Sequence, residues 1–420
     1  MKIACDVIAN PNKDVQRNAV ISVDNGKITA IEKIQNQDID IELNDAIVFP
    51  GLINIHDHLK YSWHKKIGNE ARYTSVYYWL RDLYEEYDTI VKTEEELKIL
   101  FKLGIYKQIF AATTTVVNHS RYQKQVLSED EEFIDIYDNF ERELVVQPGF
   151  LSKLIKDMHK ATFGDSIVES HSRAVKFKKP FMIHVAEGRN GETKTEIKDL
   201  SQHGILTPES ILVHCINTDE EDIELINKGR CSVVWCPYSS KFVTGKVPNI
   251  KAFLSKGINI CIGTDSSCSG GNNILDEMRF AQIQYKDTFG EDIESSVIFD
   301  MSTSHAAKAL KQENIIGSIS RGCIADIAIV DKKTNNPYDD IVHSNAESII
   351  ALLHKGVFVY GDESFFDKFK IRENTQYFRF SINGRQKIVV GNPKKLIAQA
   401  KKCFSLEETM SFPFIPQEVK

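Results

Sequence analysis

Two histidines, spaced two residues apart, follow an apolar stretch near the N-terminus. Residues 50–58 read PGLINIHDH and contain His56 and His58. Because side chains alternate between the two faces of a β-strand, both imidazoles would point to the same side. Two imidazoles on one side suit a divalent transition metal. The alternative is that they are simply two polar residues that cap a strand.

Three later apolar runs end in the same way. The runs MIHVAE, LVHC and CIGTDS carry His184, Glu187, His214 and Asp265 where each run gives way to a loop. A random ionisable residue has no reason to prefer this place repeatedly, so the set favours a metal site. The alternative requires several polar groups that are each buried and separately hydrogen-bonded in the core.

The segments around these runs predict the architecture that would bring them together. In the middle of the chain, short apolar runs alternate with longer segments of helical pattern, such as EEELKILFKLGIYKQIFAA. Near-continuous apolar strands that alternate with helices indicate parallel strands buried on both faces. Seven or eight such units predict an α/β fold with a closed (β/α)₈ TIM-like barrel, at whose mouth the carboxyl ends of the strands meet.

Strand-like segments at both ends of the chain predict a second domain. The first 50 residues contain short strand patterns and an Asn25-Gly26 hairpin turn, and a similar turn at Asn383-Gly384 precedes a helix, PKKLIAQAKKCF. The simplest arrangement pairs the two ends in one β-sandwich. We therefore predict a β-sandwich domain from residues 1–48 and 317–420 and a hydrolase barrel from residues 49–316.

One region fits the barrel pattern poorly. Between residues 120 and 179 a barrel needs two strand–helix units, yet only ELVVQPGF is a clear strand and EFIDIYD is a weaker candidate. We therefore expect one barrel unit in this region to be short or irregular.

Composition excludes several classes of protein. The chain has 420 residues with 42% hydrophobic and 26% charged residues, which excludes disorder as a description of the whole chain. No run approaches the roughly 20 apolar residues that span a bilayer, and the N-terminus lacks a signal-peptide core, so we expect a cytoplasmic protein without a membrane partner. A net charge of −7 argues against a nucleic-acid partner. The eight cysteines form no C-x-x-C pair and are expected to be reduced and mostly buried.

The strand-end motifs, taken in order, resemble the amidohydrolase superfamily, in particular its metal-dependent aminohydrolase branch of nucleobase deaminases and triazine hydrolases. The matching motifs are PGLINIHDH, HVAEG, LVHC and GTDSS, followed by GSI and ADIAIVD after residue 316. The resemblance extends from about residue 1 to 362 and weakens between residues 120 and 180. It implies a (β/α)₈ barrel flanked by a β-sandwich.

The resemblance also implies a set of metal ligands, residue by residue. His56, His58, His184 and Asp265 would hold one divalent ion, most simply zinc, with iron or manganese as alternatives. An open coordination position would take a water molecule, as in catalytic zinc sites.

Two further residues receive catalytic roles by the same resemblance, and Asp265 is counted with them. Glu187 would move a proton from the water to the leaving nitrogen, and His214 would stabilise charge on the attacked centre. Some dechlorinases of this branch have a non-acidic residue at the position of Glu187, so its presence favours deamination.

Four residues are weaker candidates for substrate contacts. Trp63 and His64 follow the first barrel strand and could stack on a flat ring, or else belong to a surface or a subunit interface. His119 ends the run TTTVVNH and either lines the pocket or satisfies local hydrogen bonds. Ser266 follows Asp265 directly.

These observations predict a metal-dependent hydrolase that deaminates an amino-substituted nitrogen heterocycle of nucleobase type. One alternative is hydrolysis of a formimino group, a cyclic amide or a chlorinated ring at the same site. A second alternative is a non-catalytic binding protein on the same fold. The expected partners are a small-molecule substrate and, from the resemblance, a second copy of the chain in a dimer.

Overall fold

The computed structural model describes most of the chain. The described residues are 1–35, 38–70, 73–87, 93–119, 127, 133–144, 167–404 and 415–416. Among the helices of this part, none is long and apolar enough to cross a membrane. The described residues include most of both predicted domains.

The strands and helices alternate in the middle of the chain and are mostly strands at its ends. The strands are β1 (Lys2–Ala9), β2 (Val15–Asp24), β3 (Lys27–Lys33), β4 (Ile41–Pro50), β5 (Leu52–Asp57), β6 (Thr113–Asn118), β7 (Asp135–Tyr137), β8 (Glu141–Leu144), β9 (Phe181–Val185), β10 (Ser210–His214), β11 (Ser232–Trp235), β12 (Asn259–Ile262), β13 (Ile327–Asp331), β14 (Ile349–His354), β15 (Val357–Asp362), β16 (Tyr377–Ile382) and β17 (Arg385–Val390). The α-helices are α1 (Val76–Tyr87), α2 (Glu94–Ile109), α3 (Ile167–Phe177), α4 (Glu196–Gln202), α5 (Glu220–Lys228), α6 (Pro237–Thr244), α7 (Ile250–Ser255), α8 (Ile274–Phe289), α9 (Ser295–Met301), α10 (Ser304–Ala309), α11 (Pro337–Val342), α12 (Glu363–Phe366) and α13 (Pro393–Cys403).

Eight parallel strands, β5 to β12, form the barrel. They lie in chain order as β5-β6-β7 and β8-β9-β10-β11-β12, and a parallel bridge between Asp57 and Asp265 joins the first strand to the segment after the last. Every residue of β5, β6, β9, β10 and β11 is buried, as expected for parallel strands covered on both faces. The predicted (β/α)₈ fold class is confirmed.

The third and fourth barrel strands are the irregular part, as predicted. β7 lies inside the segment EFIDIYD, and β8 begins at Glu141, two residues before the predicted strand ELVVQPGF. The rest of that predicted strand, from residue 145, lies outside the described residues. Only three residues separate β7 from β8, which is too few for a helix between them.

Both ends of the chain build one nine-stranded sheet. Its order is β16-β17-β15-β14-β13-β4-β1-β2-β3, so β4 from the N-terminal part pairs with β13 from the C-terminal part. Side chains of its strands form a buried apolar cluster, which includes Ile8, Ile21, Ile329 and Ile388. The boundaries 1–48, 49–316 and 317–420 stay a prediction.

Two tight hairpins fix the register of this sheet. Asn25 and Gly26 have φ of 47° and 75°, and Asn383 and Gly384 have φ of 49° and 86°. Positive φ at both central residues is typical of the type I′ turn, whose twist matches that of the flanking strands. The predicted Asn-Gly hairpins are therefore confirmed.

Candidate metal centre

The ends of strands β5, β9 and β12 bring imidazoles and a carboxylate together at the barrel mouth. Nε2 of His56 lies 3.1 Å from Nε2 of His184, and Nε2 of His58 lies 3.3 Å from Oδ1 of Asp265. Asp265 Oδ1 is also 3.7 Å from Nε2 of His56. The four residues predicted as metal ligands are thus neighbours, although they come from positions up to 209 residues apart in the chain.

A glycine allows the first and last barrel strands to approach each other here. A Cβ atom at Gly263 would lie 2.7 Å from Cβ of His56, closer than real Cβ contacts permit. The backbone N–H of Asp265 donates to the carbonyl of His56 at 3.0 Å. Asp265 has a left-handed backbone with φ of 56°, a strained conformation for a non-glycine residue. The close approach therefore directs its carboxylate to the imidazoles.

Electrostatics favour the neutral forms of His58 and His184 and the ionised form of Asp265. Burial, together with the nearby His56, lowers the pKa of His58 to about 3, and burial lowers the pKa of His184 well below its usual value. Burial opposes ionisation of Asp265, but the hydrogen bond from His56 and the nearby imidazoles hold its pKa well below the usual range. Neutral imidazoles and an ionised carboxylate are the forms that bind a metal.

Two serines hold the far side of the Asp265 carboxylate. Ser239 Oγ donates to Oδ2 at 2.6 Å and Ser269 Oγ donates to the same oxygen at 3.1 Å. The backbone N–H of Ser266 donates to Oδ1 at 2.7 Å. These bonds fix the carboxylate orientation, as the partners of metal-binding side chains commonly do.

The second half of the cluster is Glu187 and His214. Oε2 of Glu187 lies 3.3 Å from Nε2 of His214, and both side chains are buried. Burial, with added repulsion from Asp265 and Glu196, raises the pKa of Glu187 well above its usual value. Burial lowers the pKa of His214 to about 4. Burial thus favours the protonated form of the Glu187 carboxyl and the neutral form of the His214 imidazole.

Glu196 supports the strand end that carries Glu187. Its carboxylate accepts hydrogen bonds from the backbone N–H of Ala186 at 2.5 Å and from the hydroxyl of Tyr77 at 2.6 Å. Ala186 has a left-handed backbone with φ of 54°, and this bond holds it in that conformation. Burial raises the pKa of Glu196 to about 7. The local chain is thus bent so that His184 and Glu187 both reach the mouth.

A divalent cation fits the donor set. The ligand atoms of His56, His58 and His184 lie within 4.8 Å of one another, and so do those of Glu187, His214 and Asp265. Among the described residues, Nδ1 of His184 and Nδ1 of His214 are buried without a hydrogen-bond partner. Neutral imidazoles packed against one another and one carboxylate match the mixed nitrogen and oxygen ligands of catalytic zinc sites.

The weaker candidates for substrate contact divide into two groups. The ring of His119 lies 4.5 Å from that of His184 and 5.3 Å from that of His56, so it belongs to the cluster. Ser266 lies beside this cluster, because its backbone N–H donates to Oδ1 of Asp265. Trp63 instead stacks on Phe404 at 5.1 Å, and His64 lies 3.9 Å from Glu86.

Several residues of the centre have no strong signal in the sequence. Ser239 follows the seventh barrel strand, and the rule that strand ends face the mouth could have identified it. Glu196, Ser269 and Met182, whose sulfur lies 3.4 Å from Nδ1 of His56, carry no comparable signal. They are found only when the fold is known.

Comparison with known proteins gives a family. The profile of the amidohydrolase family matches residues 162–361. This stretch contains His184, Glu187, His214 and Asp265 and begins after the pair His56 and His58. The match therefore covers the fifth to eighth barrel strands and part of the strand domain.

Curated relatives and solved structures agree with that family. A 5-methylthioadenosine/S-adenosylhomocysteine deaminase from Clostridium tetani is 26% identical over 330 residues, which cover 70% of this chain and 75% of that protein. A 5'-deoxyadenosine deaminase from Methanosphaera stadtmanae is 24% identical over 387 residues, 79% and 86% of the two chains. A zinc-bound adenosine deaminase from Xanthomonas campestris has a TM-score of 0.73 at 17% identity, covering 96% of this chain and 97% of that one.

A triazine hydrolase shares the fold as well. The zinc complex of atrazine chlorohydrolase from Arthrobacter aurescens has a TM-score of 0.70 at 15% identity, covering 96% of this chain and 99% of that one. These findings confirm the resemblance that the ordered strand-end motifs predicted. The chain is similar to the amidohydrolase family over residues 162–361, and with its deaminase relatives this similarity supports a hydrolase that acts on carbon–nitrogen bonds.

Proposed function

We propose that the chain is a zinc-dependent deaminase of an adenosine-like nucleoside. The reaction would exchange the exocyclic amine of the ring for an oxygen from water and release ammonia. Deaminases of 5-methylthioadenosine, S-adenosylhomocysteine and 5'-deoxyadenosine among the curated relatives support an adenine-type ring over the guanine and cytosine types. The donor set of the mouth supports the metal.

His56, His58, His184 and Asp265 would hold the ion. Their nitrogen and oxygen atoms converge, and the low pKa values of His58, His184 and Asp265 leave lone pairs available at neutral pH. When bound, a divalent ion supplies Lewis acidity and makes a water molecule acidic enough to act as a nucleophile near pH 7.

Glu187 would carry the protons of the reaction. Its raised pKa makes the Glu187 carboxylate a stronger proton acceptor than an ordinary glutamate, which suits a general acid–base residue. Water loses a proton to the Glu187 carboxylate as its oxygen adds to the ring carbon. The same proton then passes from Glu187 to the exocyclic nitrogen, the bond from carbon to that nitrogen breaks, and ammonia leaves.

His214 would face the attacked carbon. Its neutral imidazole lies 3.3 Å from Glu187 and is buried, so it can hold the carboxyl in place and donate a hydrogen bond to charge that develops on the substrate. We extend the same role in substrate contact to His119 and Ser266, which lie beside the ligands, and more weakly to Trp63 and His64.

The observation that carries the proposal is the place of Glu187. A buried carboxyl with a raised pKa lies beside a neutral imidazole and next to a convergent set of three imidazoles and an aspartate. Hydrolysis that expels an amine requires a proton donor at this point, whereas expulsion of chloride does not. The geometry therefore supports loss of ammonia over loss of chloride.

The test is a leaving-group assay on zinc-loaded protein. The panel contains adenosine, 5'-deoxyadenosine, 5'-methylthioadenosine, guanine, cytosine, an aminotriazine and a chlorotriazine, and both ammonia and chloride are measured. We expect ammonia from at least one adenosine-type compound, and far less from the Glu187→Gln variant. Chloride release without ammonia would contradict the proposal in favour of dechlorination. A protein that cannot be loaded with zinc and that releases no product from any compound would favour a binding protein.

We also propose a cytoplasmic homodimer. All eight cysteines are free, and seven of them are buried, which suits a reducing compartment. Light scattering of the purified chain would give twice the chain mass of 47.8 kDa for a dimer, and the single chain mass would contradict it.

A further inference from the structure

Two lysine side chains in the described part of the chain are completely buried, Lys107 and Lys387. Lysine is rarely buried to this extent, because removing an ammonium group from water is costly unless an opposite charge compensates it. Lys387 lies in the nine-stranded sheet, where its Nζ is 2.8 Å from Asp362 and donates to the carbonyl of Ile349 at 2.7 Å. Lys107 lies in the barrel, 3.0 Å from Oδ2 of Asp57.

Asp57 stands between the two histidines of the first barrel strand. Its carboxylate is fully buried like its lysine partner. Oδ2 also accepts hydrogen bonds from Asn54 at 3.0 Å, from Gln108 at 2.9 Å and from the hydroxyl of Thr264 at 2.7 Å. Oδ2 of Asp57 therefore contacts one ammonium group and three neutral hydrogen-bond donors.

These contacts connect three parts of the barrel. Lys107 and Gln108 belong to α2, Asn54 and Asp57 belong to β5, and Thr264 directly precedes Asp265. Asn54 also accepts from the backbone N–H of Thr264 at 3.2 Å. A shift of the Asp57 carboxylate would therefore move the strand end that carries both histidines relative to the segment that carries the aspartate.

We propose that the buried Asp57–Lys107 ion pair is a positioning device that sets the placement of His56 and His58 relative to Asp265. This inference rests on the proposed function, because it treats those three residues as ligands of one metal ion. Without Lys107, the Asp57 carboxylate would be a buried charge with no counter-charge, and the strand end would rearrange to bring it toward water. The ligand set would then lose its geometry although every ligand is still present.

The experiment compares the two buried lysines. Lys107→Met and Lys387→Met each replace a buried ammonium by an apolar side chain of similar length, so both variants lose a buried ion pair. Zinc affinity is measured by competition with a chromophoric chelator, and the visible spectrum of the Co²⁺-loaded protein reports the ligand geometry. We expect Lys107→Met to weaken zinc binding about 10- to 100-fold and to change the cobalt spectrum, and Lys387→Met to leave both unchanged.

A second variant keeps the test decisive if Lys107→Met does not fold. Thr264→Val has nearly the same shape and removes the hydroxyl that donates to Asp57 and accepts from Asn54 at 2.8 Å. It therefore breaks the side-chain bonds between β5 and the residue before Asp265 but keeps the Asp57–Lys107 pair. We expect it to fold and to bind zinc about 10-fold more weakly. Wild-type affinity and a wild-type cobalt spectrum in Thr264→Val, and in Lys107→Met where it folds, would overturn the inference.

The wild-type protein separates this inference from the proposed function. If it binds zinc but deaminates no nucleoside, the proposed substrate is wrong and the lysine comparison still decides the inference. If it binds no divalent ion, both fall together. If it binds zinc and the two lysine variants bind it equally well, only the inference falls.

Discussion

The strand sheet and the barrel mouth both bury ionisable side chains, but they do so in opposite ways. In the described part of the sheet, three such groups each contact a complementary partner. His354 lies 2.9 Å from Asp326, Lys387 lies 2.8 Å from Asp362, and Arg385 donates to Asp362 at 2.7 Å. Buried polar groups that are paired in this way satisfy each other's hydrogen bonds, so they need no ligand.

At the mouth, groups of the same kind are packed together. Nε2 of His56 lies 3.1 Å from Nε2 of His184, and burial together with the nearby Asp265 carboxylate raises the pKa of Glu187. Such crowding is unfavourable unless a cation binds in the middle or a proton is held there. Buried ionisable groups that pair with complementary partners therefore indicate a structural role, whereas buried ionisable groups of like kind that crowd together indicate a binding site.

The largest effect should separate two buried histidines. His184→Asn removes a proposed ligand, and His354→Asn removes a sheet partner of Asp326. We expect His184→Asn to lose bound metal and about 10³-fold or more of kcat/KM, since Lewis acidity contributes several kcal/mol to catalysis. His354→Asn should keep both and lose about 1–3 kcal/mol of stability. Metal analysis and steady-state kinetics check this prediction. Equal metal content in the two variants would contradict the assignment of His184 as a metal ligand.

The next effect should separate two buried glutamates. Glu187→Gln cannot transfer a proton, so we expect kcat to fall roughly 10²- to 10⁴-fold while the metal is retained. Glu277→Gln is the control, because Glu277 is buried and accepts backbone N–H bonds from Gly271 at Oε1 and from Tyr238 at Oε2, and the glutamine oxygen keeps one of these two bonds. Steady-state kinetics with metal analysis gives the answer. A Glu187→Gln variant as active as Glu277→Gln would remove Glu187 from the mechanism.

Glu277 also makes the pH dependence of stability testable. Burial raises its pKa to about 8. Between pH 4.5 and 8 the folded chain keeps a proton on Glu277 that the unfolded chain has released, so the stability contributed by this group falls as the pH rises through that window. We expect wild type to lose about 3 kcal/mol relative to Glu277→Gln between pH 5 and pH 8. Urea unfolding at both pH values checks this, and parallel curves would refute it.

The smallest effect should come from the serines behind Asp265. Ser239→Ala removes a 2.6 Å hydrogen bond and Ser269→Ala one of 3.1 Å. We expect about 10-fold weaker zinc binding in Ser239→Ala and a smaller loss in Ser269→Ala. Chelator competition ranks the two variants. The reverse order would mean that these bonds do not orient the carboxylate.

The sequence was most informative where one rule repeats. Buried parallel strands end in loops on one side of a barrel, so His56, His184, His214 and Asp265 could be assigned to one mouth without coordinates. The Asn-Gly turns were equally informative, because their backbone preference is local. The short strands β7 and β8 lacked this regularity, and only their irregularity could be predicted.

The sequence was least informative where long-range contacts decide. Lys107 follows Leu100 and Leu103 on one face of α2, and this spacing does mark it as a charged residue on an apolar face. Its partner, however, lies 50 positions earlier in the chain. Trp63 follows a barrel strand, and its contact with substrate stays a prediction. Its stacking on Phe404, the residue after the C-terminal helix, is a long-range contact that the sequence does not indicate.

The most direct test of the central claim joins metal content to ammonia release. Purified protein is stripped of metal with a chelator, zinc is added back in steps, and ammonia from the best adenosine-type substrate is measured at each step. We expect no ammonia from the stripped protein, and we expect ammonia release to rise with added zinc and to level off at one zinc per chain. Undiminished ammonia release after complete removal of metal would contradict it.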